Sequence, residues 1–162
     1  MRSIRNLVLA AAVGAAAFAA GSSARTGGAE AVVARHMVGE ALLAAHFVAA
    51  AEKAGLSSDA IRAVLRDVAA RSAIDEFWIT DEHGRAYLTN EAFAFTFTGD
   101  PKEQPQASAF WPLLEGTRDV VIQEARKREV DDRVFKYVGV AGVDKPRIVQ
   151  VGVSAEHLPR DE

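Results

Sequence analysis

The sequence predicts an α+β fold, with a five-stranded antiparallel sheet and a long N-terminal helix packed on one of its faces. Three observations predict it. Residues 29–54 are rich in alanine, contain no proline and have apolar residues at helical spacing. Residues 76–90, EFWITDEHGRAYLTN, have the pattern of a strand, a tight polar turn and a second strand. The rest of the chain adds three stretches rich in β-branched and aromatic residues, which complete a sheet.

The N-terminal segment has the features of a secretory signal. Arg2 and Arg5 precede an apolar run at residues 7–20, and small residues follow it. The run is shorter than the roughly 20 residues that span a bilayer, which favours cleavage over anchoring. We therefore predict a signal peptide or N-terminal anchor at residues 1–24 and a linker at residues 25–28. The folded part is expected to be extracytoplasmic, either periplasmic or secreted.

Two helices are predicted ahead of the sheet. The first covers residues 29–54, and Gly55 is suited to end it because glycine readily adopts the left-handed conformation of a C-cap. Ser57 or Ser58 would cap the second helix. The apolar stripe of this second helix consists of Ile61, Val64, Leu65 and Val68.

The hairpin is followed by a segment with an aromatic face, residues 93–114, which we call the connection. In the hairpin, residues 81–84 form the turn, with Gly84 free to adopt a positive φ. Residues 91–98 alternate three phenylalanines with small or polar residues, as a half-buried strand or an extended loop does. Two prolines predict an irregular connection at residues 100–106, before a short helix or turn at residues 108–114.

The last three strands are predicted at residues 120–126, 133–140 and 147–154. Side chains alternate along a strand, so each strand has one face toward the helices and one face away from them. The face suited to the packed helix carries Val149, Val151 and Val153. The opposite face carries Phe135, Tyr137, Gly139, Gln150 and Gly152. The aromatic connection would cover this second face and leave room for a small ligand.

These elements resemble the single Cache family of extracytoplasmic sensor domains, which share a PAS-like sheet. The residues that carry the resemblance are FWITDEHGRAYLTN at 77–90, SAFWPLL at 108–114 and VFKYVGVAGVDKPRIVQVGVS at 134–154. The resemblance implies that residues 29–156 form a sensor domain, with a tail at residues 157–162, and that this domain binds a small organic metabolite such as a carboxylate or an amine. Family members usually pass the signal to a transmembrane helix and an output domain. Neither is recognisable after the sheet, so we expect binding without autonomous transmembrane signalling.

Side chains on the open face and in the connection are expected to contact the ligand. The phenol of Tyr137 and the amides of Gln123 and Gln150 can form hydrogen bonds with a carboxylate or carbonyl group. Phe110 and Trp111 would form a lid. The structural alternatives are core packing for the aromatic residues and a solvent-facing position for the amides. The candidate ligand-binding residues are Phe110, Trp111, Gln123, Arg126, Phe135, Tyr137 and Gln150.

Charged residues are expected to contribute less to the site. Residues 126–133 form a dense run of mixed charge, which is typical of a solvated hairpin tip. Only Arg126 and Lys136 are retained as counter-charges to a carboxylate ligand. Glu76 belongs to a group of carboxylates around the hairpin turn, where solvation is the ordinary outcome.

Several function classes are disfavoured. A net charge of −3 gives no reason to expect nucleic acid as a partner. The chain has no cysteine, which excludes disulfides, thiolate metal sites and thiol nucleophiles. His36 and His46 would lie about 15 Å apart on the first helix, too far to share a metal ion. No metal, cofactor or catalytic residue is expected, because no nucleophile elbow, zinc-protease motif or phosphate-binding glycine loop is present.

Two functions fit these patterns. The first is an exported binding module of the single Cache type that captures a small metabolite between the sheet and the connection. The second is a structural or interaction protein, without a ligand, that forms a homodimer or docks on a membrane receptor through its long helix. A pocket lined by Gln123, Tyr137 and Gln150 would favour the first. A solid core there, with an exposed apolar stripe on the helix, would favour the second.

Overall fold

A computed structural model describes the backbone of residues 16–159 and the side chains of residues 28–159. The predicted signal peptide or anchor at residues 1–24 begins in a segment, residues 1–15, that lies outside the described residues. The end of the predicted tail, residues 160–162, also lies outside them.

Two helices open the described part of the chain, α1 (Ala16–Lys53) and α2 (Ser58–Arg71). Because α1 begins at Ala16, the backbone of the predicted linker at residues 25–28 is helical, and the helix is longer than predicted. Gly55 ends α1 with a φ of 79°, as predicted for a C-cap. Ser57 is the N-cap of α2, where its hydroxyl accepts a hydrogen bond from the backbone N–H of Ala60 at 3.2 Å.

The apolar stripe of α2 is narrower than predicted. Ile61 and Leu65 are buried against the rest of the domain. Val64 and Val68 are 40% and 36% exposed, because they lie toward the solvent side of the helix. Only half of the predicted stripe therefore stabilises the packing of α2.

Within residues 16–159 the sheet has six strands, which are β1 (Glu76–Thr80), β2 (Ala86–Thr89), β3 (Val120–Ile122), β4 (Arg126–Lys127), β5 (Val134–Ala141) and β6 (Ile148–Ser154). Every strand pair is antiparallel, and the order is β2-β1-β6-β5-β3, with β4 also paired with β5. The last strand, β6, therefore lies in the middle of the sheet. The fold is α+β, as predicted, but the sheet has one more strand than the five expected.

The extra strand arises because the predicted strand at residues 120–126 is interrupted. Ile122 pairs with Val138 and Arg126 pairs with Phe135, so one additional residue is accommodated on the edge of the sheet. An insertion of this kind is a bulge, which bends an edge strand and breaks its regular pairing. Gln123 still donates its backbone N–H to the carbonyl of Tyr137 at 3.0 Å, which keeps the interrupted edge attached to β5.

The hairpin and the connection follow the predicted order. Gly84 ends the turn between β1 and β2 with a φ of 82°. Residues 91–98 form an extended loop, which is one of the two structures predicted for them, and Thr96 forms a single bridge with Arg85. An irregular stretch then leads to a 3₁₀ turn (Ala107–Phe110) and the one-turn helix α3 (Trp111–Leu114).

The apolar residues of the sheet divide between its two faces as predicted. Val149, Val151 and Val153 pack against α1 and α2, together with Val138 and Val140. The opposite face packs against the connection, through a second cluster that includes Trp78, Phe110, Leu113, Phe135 and Tyr137. Gly139 permits this contact, because a Cβ atom there would lie 2.7 Å from the Phe110 ring and 2.9 Å from Leu113.

Within the residues whose side chains the structure describes, the stretch Gly28–Lys53 of α1 is long and apolar enough to cross a membrane by length and composition. An apolar N-terminal helix of this kind is compatible with a signal sequence or an anchor. Its buried residues, among them Met37, Ala41 and Val48, pack on the sheet. One face of this stretch therefore belongs to the core of the domain.

Candidate ligand-binding site

A half-open cavity lies between the sheet and the connection, on the face that the sequence predicted for a ligand. Its volume is about 40 Å³, which is room for only a few water-sized groups. The cavity is lined by Glu76, Trp78, Phe95, Gln106, Ala107, Phe110, Arg128, Glu129, Val130, Tyr137 and Gln150. It therefore combines aromatic walls with several polar and charged groups.

Glu76 is the centre of the polar wall. It is the first residue of β1 and only 1% exposed. Its carboxylate accepts hydrogen bonds from the indole N–H of Trp78 at 2.9 Å, from the hydroxyl of Tyr137 at 2.8 Å, and from the guanidinium of Arg128. Burial raises the pKa of Tyr137, so its hydroxyl stays protonated and remains a donor. The expectation that Glu76 is solvated is wrong, because Glu76 lies at the start of β1, away from the turn, and its side chain is buried.

A glycine opposite Glu76 makes this arrangement possible. Gly152 in β6 pairs with Glu76 across the sheet. A Cβ atom at this position would lie 2.5 Å from Cε1 of Tyr137 and 3.4 Å from Cβ of Glu76. The absence of a side chain at Gly152 therefore lets the Tyr137 ring cross β6 and bring its hydroxyl to the carboxylate.

Arg128 enters the cavity wall from the charged loop. Its side chain is 4% exposed and forms a bidentate pair with Asp131, with nitrogen–oxygen distances of 2.6 and 2.5 Å. Its guanidinium lies 4.6 Å above the centre of the Phe135 ring. The hydrogen bond from Arg128 holds the pKa of Asp131 well below its usual range. The prediction of a solvated tip at residues 126–133 is therefore wrong for Arg128, which turns inward to pair with Glu76.

Glu129 links the charged loop, residues 126–133, to the connection through two hydrogen bonds. Its Oε1 atom accepts hydrogen bonds from the backbone N–H groups of Gln106 and, at 3.2 Å, Ala107. Because Arg128 and Glu129 are adjacent, one short loop supplies both the cation and the second carboxylate of the cavity wall.

Two buried amides leave polar atoms without partners beside the cavity. Gln106 is 5% exposed, and its Nε2 atom has no hydrogen-bond partner. Its backbone carbonyl accepts a hydrogen bond from Nε2 of Gln123 at 3.1 Å, which leaves Oε1 of Gln123 unpartnered. Buried polar atoms are nearly always paired, so such exceptions mark places where water or a ligand would complete the pairing.

The structure brings three of the seven candidate residues, Phe110, Tyr137 and Gln150, to the cavity surface. Gln123 lies directly behind Gln106 and contacts the lining from its far side. Phe135 is buried and stacks on Tyr137, with ring centres 5.6 Å apart. It supports the wall without lining the cavity.

The remaining candidates lie elsewhere. The ring of Trp111 covers two glycines, since a Cβ atom at Gly84 or Gly99 would lie within 3 Å of it, at 2.9 and 2.8 Å. Trp111 therefore fills the space behind the hairpin turn instead of covering the cavity. Arg126 is exposed on β4. Lys136, the other base considered as a counter-charge, lies on the helix face, where it pairs with Glu30 at 2.9 Å.

Sequence reasoning missed several lining residues, above all Glu76, Gln106, Arg128 and Glu129. Glu76 and Trp78 had a usable signal, because they alternate with Phe77 and Ile79 and so share the face of Gln150 in the paired strand. The three others lie on irregular segments, whose side-chain directions follow from no repeating pattern.

Within the described residues, no cluster of three or more histidine, aspartate or glutamate side chains could hold a metal ion. No protein-family model matches the chain, and no curated protein matches it in sequence. The function must therefore be argued from the geometry of the cavity.

Proposed function

We propose that the chain is an exported small-molecule-binding sensor module of the single Cache type, which holds a small metabolite between its sheet and its connection. The observation that carries the proposal is the cavity itself. Apolar rings surround it, and Gln106, Tyr137 and Gln150 converge on it from three different elements, as in sites for small organic ligands.

The order of the strands supports a PAS-like sheet. The last strand, β6, lies between β1 and β5, the two helices cover one face, and the connection covers the other. A PAS-like sheet is what the resemblance to the single Cache family implies, and we propose that the ligand lies between this sheet and the connection.

Binding explains the cavity wall better than catalysis does. The carboxylate of Glu76 is occupied by three donors, so it organises Trp78, Arg128 and Tyr137. A general base needs an oxygen that can approach the substrate proton. We therefore propose a receptor role in which Glu76 orders the cavity wall and does not act as a general base.

The N-terminal sequence supports export. Arg2, Arg5 and the apolar run at residues 7–20 have the order of charges and apolar residues of a signal sequence or anchor. We propose an extracytoplasmic location, periplasmic or secreted, with the segment either cleaved or retained as an anchor.

A thermal-shift screen against small carboxylates, amino acids and amines tests the binding function. A ligand that binds only the folded state raises the melting temperature. Ala107→Met fills the cavity from the 3₁₀ turn and should abolish the shift. Ala109→Met, in the same turn but exposed, is the matched control and should retain it. A panel without a single hit would contradict the proposal.

A second candidate function rests on the outward face of α1. Leu43 is 73% exposed and Val32 is 53% exposed, although both belong to the long helix. We propose that this face can form a homodimer or dock on a membrane receptor, which is compatible with a ligand site on the opposite side of the sheet. Analytical ultracentrifugation tests the homodimer. Leu43→Glu should weaken the self-association of the chain, and a parent chain that is purely monomeric would contradict the proposal.

A further inference from the structure

The charges of the cavity wall disfavour an anionic ligand. Glu76 and Glu129 contribute two negative charges to the lining, and Arg128 contributes one positive charge. Arg128 is already committed, because Glu76 binds one of its terminal nitrogens and Asp131 binds its other two nitrogens. A carboxylate ligand would have to compete with these two partners and would also be repelled by Glu129.

Glu129 has a carboxylate oxygen available for a cation. Its Oε1 atom is used by the backbone N–H groups of Gln106 and Ala107. Glu129 is an exposed residue that also lines the cavity, and its Oε2 atom has no hydrogen bond or ion pair with any of the residues that the structure describes. An ammonium group at this point would replace solvent and form a charge-assisted hydrogen bond without displacing a protein contact.

The aromatic lining suits the organic part of such a cation. Trp78, Phe95, Phe110 and Tyr137 surround the cavity, and the ring centres of Trp78 and Phe95 lie 5.7 Å apart. Aromatic rings attract cations through their quadrupole, most strongly where water is excluded. The wall therefore stabilises an alkylammonium better than it stabilises an anion of the same size.

Gln106 adds a requirement for a hydrogen-bond acceptor. Its side chain is more than nine-tenths buried, lines the cavity and has an unpartnered Nε2 donor. Its backbone N–H is bound by the Glu129 carboxylate, so the two residues adjoin each other in the wall. A ligand that satisfies both groups carries an ammonium and an acceptor oxygen a short distance apart.

We propose that the cavity binds a small primary ammonium compound that carries a nearby hydroxyl or carbonyl oxygen, with Glu129 binding the ammonium and Gln106 binding the oxygen. This assignment rests on the small-molecule-binding function proposed above. The cavity volume of about 40 Å³ restricts the compound to a short carbon chain.

Three probes of nearly equal size and different charge test the proposal on the unsubstituted chain. They are ethanolamine, which is cationic, ethylene glycol, which is neutral, and glycolate, which is anionic. Calorimetric titration should give the tightest binding for ethanolamine, by about tenfold or more over either other probe, since one charge-assisted hydrogen bond is at stake. This comparison needs no variant and stands even if a substitution impairs folding.

Two substitutions test the assigned roles. Glu129→Gln keeps an oxygen for the backbone N–H groups of Gln106 and Ala107 but removes the charge, so ethanolamine affinity should fall about tenfold. Glu103→Gln, an exposed residue of the connection, is the matched control and should leave it unchanged. Gln106→Leu should abolish the preference for ethanolamine over ethylamine, which lacks the hydroxyl.

The outcomes separate this proposal from the general binding function. Tighter binding of glycolate, or full ethanolamine affinity in Glu129→Gln, would overturn the cation assignment while leaving a small-molecule site in place. A hit in the wider panel that is neutral or anionic, with no ethanolamine binding, would do the same. A panel without any hit would overturn both proposals.

Discussion

The two faces of this sheet are built from alternate residues of the same strands, and yet they differ in how completely they are filled. On the helix face, Val138, Val149 and Val151 are fully buried beneath α1, whose alanines allow the helix to lie close to the strands. On the opposite face, Tyr137 and Gln150 border a cavity under an irregular connection. The difference shows that the covering segment, more than the sheet, decides whether a face becomes core or site.

The buried charges of the two faces differ in the same way. On the helix face, two ion pairs link α1 to the sheet, Glu30 with Lys136 and Glu52 with Arg147. These pairs lie at the margin of an apolar core. On the cavity face, Glu76 and Arg128 lie in the wall of the cavity itself, beside the unpartnered amide of Gln106. Each face has a buried nitrogen without a partner, Nε of Arg147 on the helix face and Nε2 of Gln106 on the cavity face, and the second belongs to a residue that lines the cavity.

The largest expected effect is on the buried ion pair of the cavity face. Arg128→Met leaves Glu76 buried without its cation, so the free energy of unfolding should fall by about 3–5 kcal/mol in urea titrations. Arg126→Met, at an exposed position two residues earlier, is the matched control and should change it by less than about 0.5 kcal/mol. Equal effects of the two substitutions would restore the interpretation of this loop as a solvated tip.

The next effect compares neighbouring residues of β6 that point to opposite faces. Val151→Ala removes two methyl groups from the filled helix face, and we expect a loss of about 2–3 kcal/mol in the free energy of unfolding. Gln150→Ala enlarges a space that already exists, and we expect a loss below about 1 kcal/mol. Urea titrations of both variants measure the contrast, and similar losses would mean that the two faces are equally well packed.

A smaller effect concerns the pH dependence of the helix face. Burial raises the pKa of Glu52, but hydrogen bonds from Arg147, Tyr87 and Lys145 outweigh it and lower this pKa to about 2. A lowered carboxyl pKa contributes stability that is present above about pH 4.5 and is lost as the pH falls toward 2. Because Glu52 is partly exposed, we expect this contribution to be about 1–2 kcal/mol.

Glu52→Gln isolates this contribution. The variant should be less stable than the parent chain at pH 7 and should approach it as the pH falls toward 2, in urea titrations at each pH. A constant difference across that window would show that the cluster around Arg147 stabilises α1 through packing alone.

The features that depended on local sequence were predicted well. Gly55 ends α1 and Ser57 caps the start of α2, and both could be predicted because a few neighbouring residues determine a C-cap or an N-cap. Gly84 adopts the positive φ expected in the hairpin turn. The assignment of Val149 and its neighbours to the helix face followed from strand alternation, which needs only the correct strand boundaries.

The features that depended on distant pairing were not predicted. Glu76 and Arg128 meet across 52 residues, so neither has a local signal for burial beside the other. The break between β3 and β4 depends on how the edge pairs with β5, and the position of Trp111 depends on Gly84 and Gly99. Such contacts decide which polar residues enter the cavity, and this is why the face was predicted better than its lining.

The smallest effect on stability separates the two faces most clearly. Gln106→Leu replaces a buried amide whose Nε2 atom has no partner with an apolar side chain of similar size. The backbone bonds of Gln106 to Glu129 and Gln123 do not involve its side chain and should persist. Since an unpartnered buried donor is unfavourable, we expect the free energy of unfolding to stay equal or to rise by up to about 1 kcal/mol.

Gln106→Leu should also weaken ligand binding, because it removes the Nε2 donor that we assign to an oxygen of the ligand. A residue that lowers stability while serving a site is the expected mark of function. Substitutions of the apolar residues packed on the helix face, such as Val151→Ala, should instead destabilise the chain. Urea titration and calorimetry on one preparation of Gln106→Leu measure both quantities. A clear loss of stability would show that the Gln106 side chain is paired in solution and that its amide is not held ready for a ligand.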